Sequence, residues 1–200
     1  MRKIKLLPEG KVGIAELTHF EVPEDYIDFS AISHGGISPA PGKYMRLCVN
    51  GTLMMSDTKQ EMMQNWQIMY TAFGKVLIGG LGLGVVLQRI LQRKEVDHVT
   101  VVEKYQDVID LVGPHYRSKR VTLICDDVLT WKPPKGEKYQ TIYFDIWPDA
   151  CEDNLGQVSK LHRRFARNLD RTNKDSWMNS WMADELRARR RRDRSVYPWL

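Results

Sequence analysis

The sequence is poor in the residues that cross-link small proteins. Its 200 residues hold three cysteines and five histidines. Cys48, Cys125 and Cys151 are odd in number and have no C-x-x-C or His-rich company, so neither a disulfide framework nor a zinc site is indicated. They read as buried structural thiols, and no metal is expected. Long apolar runs are missing too: none approaches the roughly 18–20 residues of a membrane span. The start, Met1-Arg2-Lys3-Ile4-Lys5-Leu6-Leu7-Pro8, lacks the apolar stretch and small-residue cleavage site of a leader. A soluble, cytoplasmic protein without a membrane partner is expected. Most of the chain also lacks an excess of charge. Of a net charge of +5, residues 187–200 supply all, with six arginines against Asp193. The basic character therefore belongs to a tail and not to a groove.

What the chain does have is apolar material, 42% of residues, enough for one packed domain or a core with a small appendage. Its most informative stretch is Lys75-Val76-Leu77-Ile78-Gly79-Gly80-Leu81-Gly82-Leu83-Gly84-Val85-Val86-Leu87. A strand-like run enters a turn with four glycines and leaves as an apolar helix. Glycine permits positive φ, a tight turn and close approach to a ligand. Nineteen residues after Gly84, Glu103 ends a second strand-like run, where an acid can reach the hydroxyls of a ribose.

Before this unit the pattern is antiparallel. Residues 11–22 alternate loosely as a strand ended by Pro23, and His34 to Gly42 has turn chemistry. Asn50-Gly51 between two apolar runs predicts a type I′ hairpin. Thr58-Lys59-Gln60-Glu61 reads as a capping box opening a helix to a C-cap at Gly74. On it Met62, Trp66, Met69, Tyr70 and Phe73 share a face. Five methionines lie between 54 and 69; core packing is favoured over a pocket lining for them.

From residue 75 strands and helices alternate. Strands are expected at 75–79, 98–103, 121–125 and 140–145, with a fifth over Ser176–Trp181. Helices are expected at 83–93, 105–112, 153–169 and 183–192. Near-continuous apolar strands in βαβ order mean a parallel sheet covered on both faces, which binds ligands beyond its carboxyl edge. Glu103, Asp126 or Asp127, and Asp145 all stand at those strand ends. The fold class is α/β: a Rossmann-like, doubly wound, mostly parallel sheet behind a small N-terminal antiparallel β module.

These residues resemble the class I S-adenosylmethionine-dependent methyltransferase fold, most closely its spermidine synthase-like branch, over about residues 44–170. Val76 to Gly84 resembles the first family motif, which makes Gly79, Gly80, Gly82 and Gly84 cofactor contacts. Val102-Glu103-Lys104 resembles the second strand, whose acid holds the ribose, with Lys104 beside it. Asp126, or Asp127 next to it, resembles the acid that faces the adenine amino group. Tyr139 to Asp145 resembles the fourth strand and its terminal aspartate. The resemblance implies domains at 1–56 (hairpin module), 57–182 (S-adenosylmethionine-binding) and 183–200 (basic helix or tail).

The departures concern the acceptor. Spermidine synthases carry an aspartate within the glycine turn, where this chain has Gly82, and a glutamine after the hairpin, where it has Met54. Their D-x-x-D-P becomes Asp145-Ile146-Trp147-Pro148-Asp149. The acids that recognise a diamine are incomplete, so methyl transfer is favoured over aminopropyl transfer, with a non-catalytic cofactor-binding protein as the third reading. Asp145 and Asp149 are the candidate catalytic residues, placed to orient or deprotonate an amine or hydroxyl. Trp147 either stacks on a planar acceptor or covers the pocket. A nicotinamide dehydrogenase is disfavoured because no second mononucleotide half follows.

A small-molecule or nucleobase-like acceptor is favoured over nucleic acid. The arginine run has Trp177, Trp181, Tyr197 and Trp199 nearby, yet no D/N-P-P-Y/F sequence or Pro-Cys pair is present. Like-charge runs are commonly solvated, and arginines late in a helix also suit its dipole. The Met and Trp content suggests a homodimer.

Overall fold

The computed structural model describes residues 5–28 and 38–196, with side chains as far as Arg192. Residues 34–37 of the expected turn segment, and Tyr197 and Trp199, lie outside the described residues.

An antiparallel sheet comes first, in the order β1 (Gly10–Val12), β2 (Ala15–Val22), β3 (Gly42–Val49) and β4 (Thr52–Ser56). The stretch 11–22 is thus a hairpin and not one strand. Gly13, at φ +51°, makes the reversal, and a side chain there would collide with the Asp107 carboxylate, which accepts from the Ile14 N–H at 2.9 Å. The second hairpin turns as predicted: Asn50 and Gly51 take φ of 50° and 76°, the type I′ signature.

The single helix expected from residue 58 to 74 is two short ones, α1 (Lys59–Gln64) and α2 (Trp66–Thr71). The expected capping box does not form. Thr58 makes no side-chain cap, and Glu61 turns back to accept from the Ser56 N–H at 2.8 Å and the Ser56 hydroxyl at 2.6 Å. The break falls at Asn65, and it rotates the apolar face. Ile68, Met69 and Ala72 are buried, whereas Trp66 and Tyr70 are 58% and 47% exposed. Gly74 opens the next strand in a positive-φ conformation, and Ala72 ends α2.

The second sheet is wholly parallel, in the order β7-β6-β5-β8-β9. Its strands are β5 (Gly74–Gly79), β6 (Val96–Glu103), β7 (Val121–Cys125), β8 (Thr141–Phe144) and β9 (Trp177–Ser180). Between them lie α3 (Val85–Ile90), α4 (Gln106–Val112) and α5 (Asn154–Phe165), with α6 (Ala183–Val196) last. Alternate residues of β5 feed two cores. Val76 and Ile78 join the cluster with α3, α4 and the antiparallel sheet. Leu77 joins Val102, Ile142, Phe144 and Phe165 on the other face. Burial on both faces is why these strands read as continuous apolar runs. Leu7, Leu17, Met45 and Leu47 of the N-terminal sheet share the first cluster, so the two sheets have one core between them. Among the described residues no helix is long and apolar enough to cross a membrane.

Candidate active site

Pairing of Gly79 with both Val102 and Phe144 aligns the carboxyl ends of β5, β6 and β8. Beyond those ends lies a cavity of about 770 Å³, walled by the glycine turn, the ends of β6 and β8, the segment 127–129 and the α1 segment.

The glycine turn is shaped by close packing around it. Gly80, Gly82 and Gly84 have φ of 96°, 52° and 71°. A side chain would meet the Asp145 carbonyl at Gly80, the Met55 thioether at Gly82 and the Tyr116 ring at Gly84. Tyr116 also donates to the Leu83 carbonyl at 2.9 Å, and burial, with Asp57 nearby, raises its pKa. Gly80 and Gly82 face the cavity, whereas Gly79 and Gly84 are outside its wall.

Glu103 is buried at the tip of β6. One carboxylate oxygen accepts from the Leu81 N–H of the turn at 2.8 Å, the other from the Tyr105 N–H at 2.9 Å. Each oxygen keeps a lone pair for another donor, which is what a vicinal diol requires. Lys104 lines the same wall and stands 3.4 Å from the Asp127 carboxylate. Of the two adjacent aspartates, Asp127 lines the cavity. Asp126 is exposed and outside the wall, where its carboxylate accepts from the Asp127 N–H at 2.7 Å.

Asp145 follows β8, and its N–H donates to the Gly79 carbonyl at 2.8 Å. Its side chain faces the cavity among groups that change its acidity. Burial pushes its pKa up to about 7, the Glu61 charge pushes the same way, and a hydrogen bond with Asn65 opposes both. Glu61 is itself raised by burial, against its bonds to Ser56 and with help from the Asp57 charge. Asp57 is raised by burial, while the Met45 N–H on its carboxylate opposes. Asn65 completes the group: it accepts from the Tyr143 hydroxyl at 2.9 Å and donates to the Glu61 carbonyl at 3.3 Å. Asp149 is not in this assembly; it is exposed and outside the wall. Trp147 is buried in the wall, and its indole donates to Gln157 at 2.8 Å.

The structure thus brings Gly80, Gly82, Glu103, Lys104, Asp127 and Asp145 together and leaves Gly79, Gly84, Asp126 and Asp149 aside. Sequence reasoning passed over Glu61, Asn65, Gln60 and Gln64, which also line the cavity, as does Trp181. Glu61 looked like a capping residue, and that assignment concealed it. The available signal was two polar residues, Glu61 and Asn65, four apart on a methionine-rich helix. Met54 and Met55 line the cavity and pack against the core, while Met69 is in the core, so the methionine cluster serves both purposes.

No family model matches the chain, and no curated protein matches it either. Solved structures do. A spermidine synthase from Thermotoga maritima is 16% identical, with a TM-score of 0.48 over 81% of this chain and 53% of that one. The plantazolicin methyltransferase in complex with SAH is 16% identical, with a TM-score of 0.39 over 54% of this chain and 39% of that one. A methylase from Haemophilus influenzae is 20% identical, with a TM-score of 0.40 over 55% of this chain and 62% of that one. The chain spans about half the length of the spermidine synthase structures it matches. Similarity at this level leaves the fold to be read from strand order and register. Those show a Rossmann-like, doubly wound parallel sheet, joined to an antiparallel sheet that precedes it.

Proposed function

We propose that the chain is an S-adenosylmethionine-dependent methyltransferase acting on a small or nucleobase-like acceptor. The observation that carries this is the Glu103 carboxylate, fixed to the glycine turn through Leu81 and opening onto the same cavity as Asp145. The residues fit the donor part by part. Glu103 would accept from the ribose hydroxyls, Asp127 and the 127–129 segment would flank the base, and Gly80 and Gly82 would let the backbone approach the methionine portion. The Leu83 N–H now donates to the Met55 thioether at 3.0 Å, a weak acceptor that a ligand carboxylate would displace.

The bound donor would supply an activated methyl group on a sulfonium, so the protein's task is positioning and proton removal. Asp145, with a pKa of about 7, is poised to accept a proton from an amine or hydroxyl held against the Asn65 side. Glu61 and Tyr143 hold the frame in which that proton moves. Trp147 and Trp181 supply apolar walls that exclude water.

The decisive measurement is calorimetric titration with S-adenosylmethionine and with its demethylated product. Binding of both is expected, and no heat from either rejects the reading. Labelled donor with a cell extract then asks for turnover; binding without transferred label anywhere favours a non-catalytic binder. A second reading, aminopropyl transfer, draws on one observation: Glu61 and Asp145 put two acids on the acceptor side, a setting suited to a cationic amine. Decarboxylated donor with putrescine tests it, and absence of spermidine eliminates it.

A further inference from the structure

We infer that the outward face of α5 and α6 is a docking surface for the phosphate backbone of double-stranded nucleic acid, read without sequence selectivity. Residues 160–192 contain eleven lysines and arginines against four acids, which leaves the preceding part of the chain slightly negative. The cations come from three separate stretches that meet. Lys160 and Arg163 are exposed along one face of α5, and Arg167 is exposed in the turn that follows it. Lys138 reaches that face from the loop before β8, donating to the Arg167 carbonyl at 2.6 Å. On α6, packed beside α5, every residue from Ala188 to Arg192 is exposed. Arg187 sits close enough to His162 of α5 to help hold its pKa down, so the two helices share one electrostatic field.

Two of the nearby acids are engaged, while Glu185 is exposed on α6. Asp184 pairs with Arg187 at 3.0 Å, and Asp170 accepts from Thr172 and Gln140. Among the described residues no ion pair involves Arg163, Arg167, Arg189 or Arg190. Like charges at i, i+3 spacing, as in Arg187 with Arg190 and Arg189 with Arg192, oppose helix formation on their own. A bound polyanion removes that repulsion.

The class of partner follows from what the face lacks. Protein interfaces depend on apolar and aromatic anchors, and single-stranded nucleic acid on aromatic stacking. Among the described residues none of the large exposed apolar side chains lies on α5 or α6. Guanidinium groups without anchors suit regularly spaced phosphates, which they meet in bidentate fashion. None of these cations lines the cavity, so loss of one function leaves the other in place.

The test is fluorescence anisotropy with a labelled duplex of about 20 base pairs between about 50 and about 200 mM salt, where a few phosphate contacts should lose about 10²-fold in affinity. Replacing Arg189→Gln, Arg190→Gln, Arg191→Gln and Arg192→Gln together should flatten the log–log salt slope by about three. Arg163→Gln with Arg167→Gln should flatten it by about two, through positions far from the chain end. Circular dichroism and donor titration should be unchanged in both variants, since the replaced groups are exposed. No duplex binding at low salt, an unchanged slope in both variants, or tighter binding of poly-glutamate than of duplex would overturn the assignment. Preference for the single strand would overturn the duplex form of it.

Discussion

At the scale of single residues, two carboxylates of the cavity wall have different surroundings. Glu103 accepts two backbone N–H groups, and the bond from Leu81 also pins the glycine turn to β6. Glu103→Ala is therefore expected to weaken donor binding by about 1–3 kcal/mol and to lower stability by a similar amount. Calorimetry and thermal unfolding read the two effects separately. Burial raises the Asp145 pKa, and the sign of its linkage follows. Its folded pKa, about 7, lies above the unfolded carboxylate value, so between these the native state holds the extra proton. Stability should decline as pH rises from about 4 towards 7, and Asp145→Asn should remove that part of the slope. Once an acceptor is identified, kcat/KM should climb through the same pH region and lose the rise in the Asn variant.

At the scale of elements, the break between α1 and α2 matters more than either helix. It buries Asn65, whose amide joins Tyr143, Glu61 and Asp145. Asn65→Ala leaves the Tyr143 hydroxyl without its partner in a buried place, at a cost of about 1–3 kcal/mol. It should also move the Asp145 pKa further up, because the bond that opposes the shift is gone; carboxyl titration by NMR would show this. The glycine turn yields a prediction of another kind. At Gly84 a left-handed backbone costs an L-residue about 1–2 kcal/mol and overpacking on Tyr116 about 1–3 more. Gly84→Ala should therefore destabilise the fold by at least about 2 kcal/mol in denaturant titration, although Gly84 is outside the cavity wall.

At the scale of the molecule, the N-terminal sheet is part of the same core as the parallel sheet and also provides Met54 and Met55 to the cavity. Arg120 adds a clamp at the opposite edge, donating to the carbonyls of Leu91 and Val96 and so tying the end of the α3 segment to β6 and β7. A shared core should melt as a unit. Scanning calorimetry of the full chain is expected to show one transition, and residues 57–196 alone should show no cooperative one. Two separate transitions in the full chain would contradict the shared core.

The sequence by itself determined the parallel sheet, the type I′ hairpin, the glycine turn and the acids at the strand ends. Those features are local: apolar strand runs, turn residues with positive φ and a spacing measured along one βαβ unit. Tertiary structure decided which of neighbouring like residues faces the cavity, Asp127 over Asp126 and Asp145 over Asp149. Strand order and the path of each connecting loop set that choice, and no local pattern encodes it. It also decided that residues 11–22 turn back at Gly13, where Asp107 from a distant helix occupies the space of a side chain. Most of all it brought Glu61 and Asn65 to Asp145. A carboxyl's acidity depends on what surrounds it in space, and these three were joined by burial across two helices and a strand.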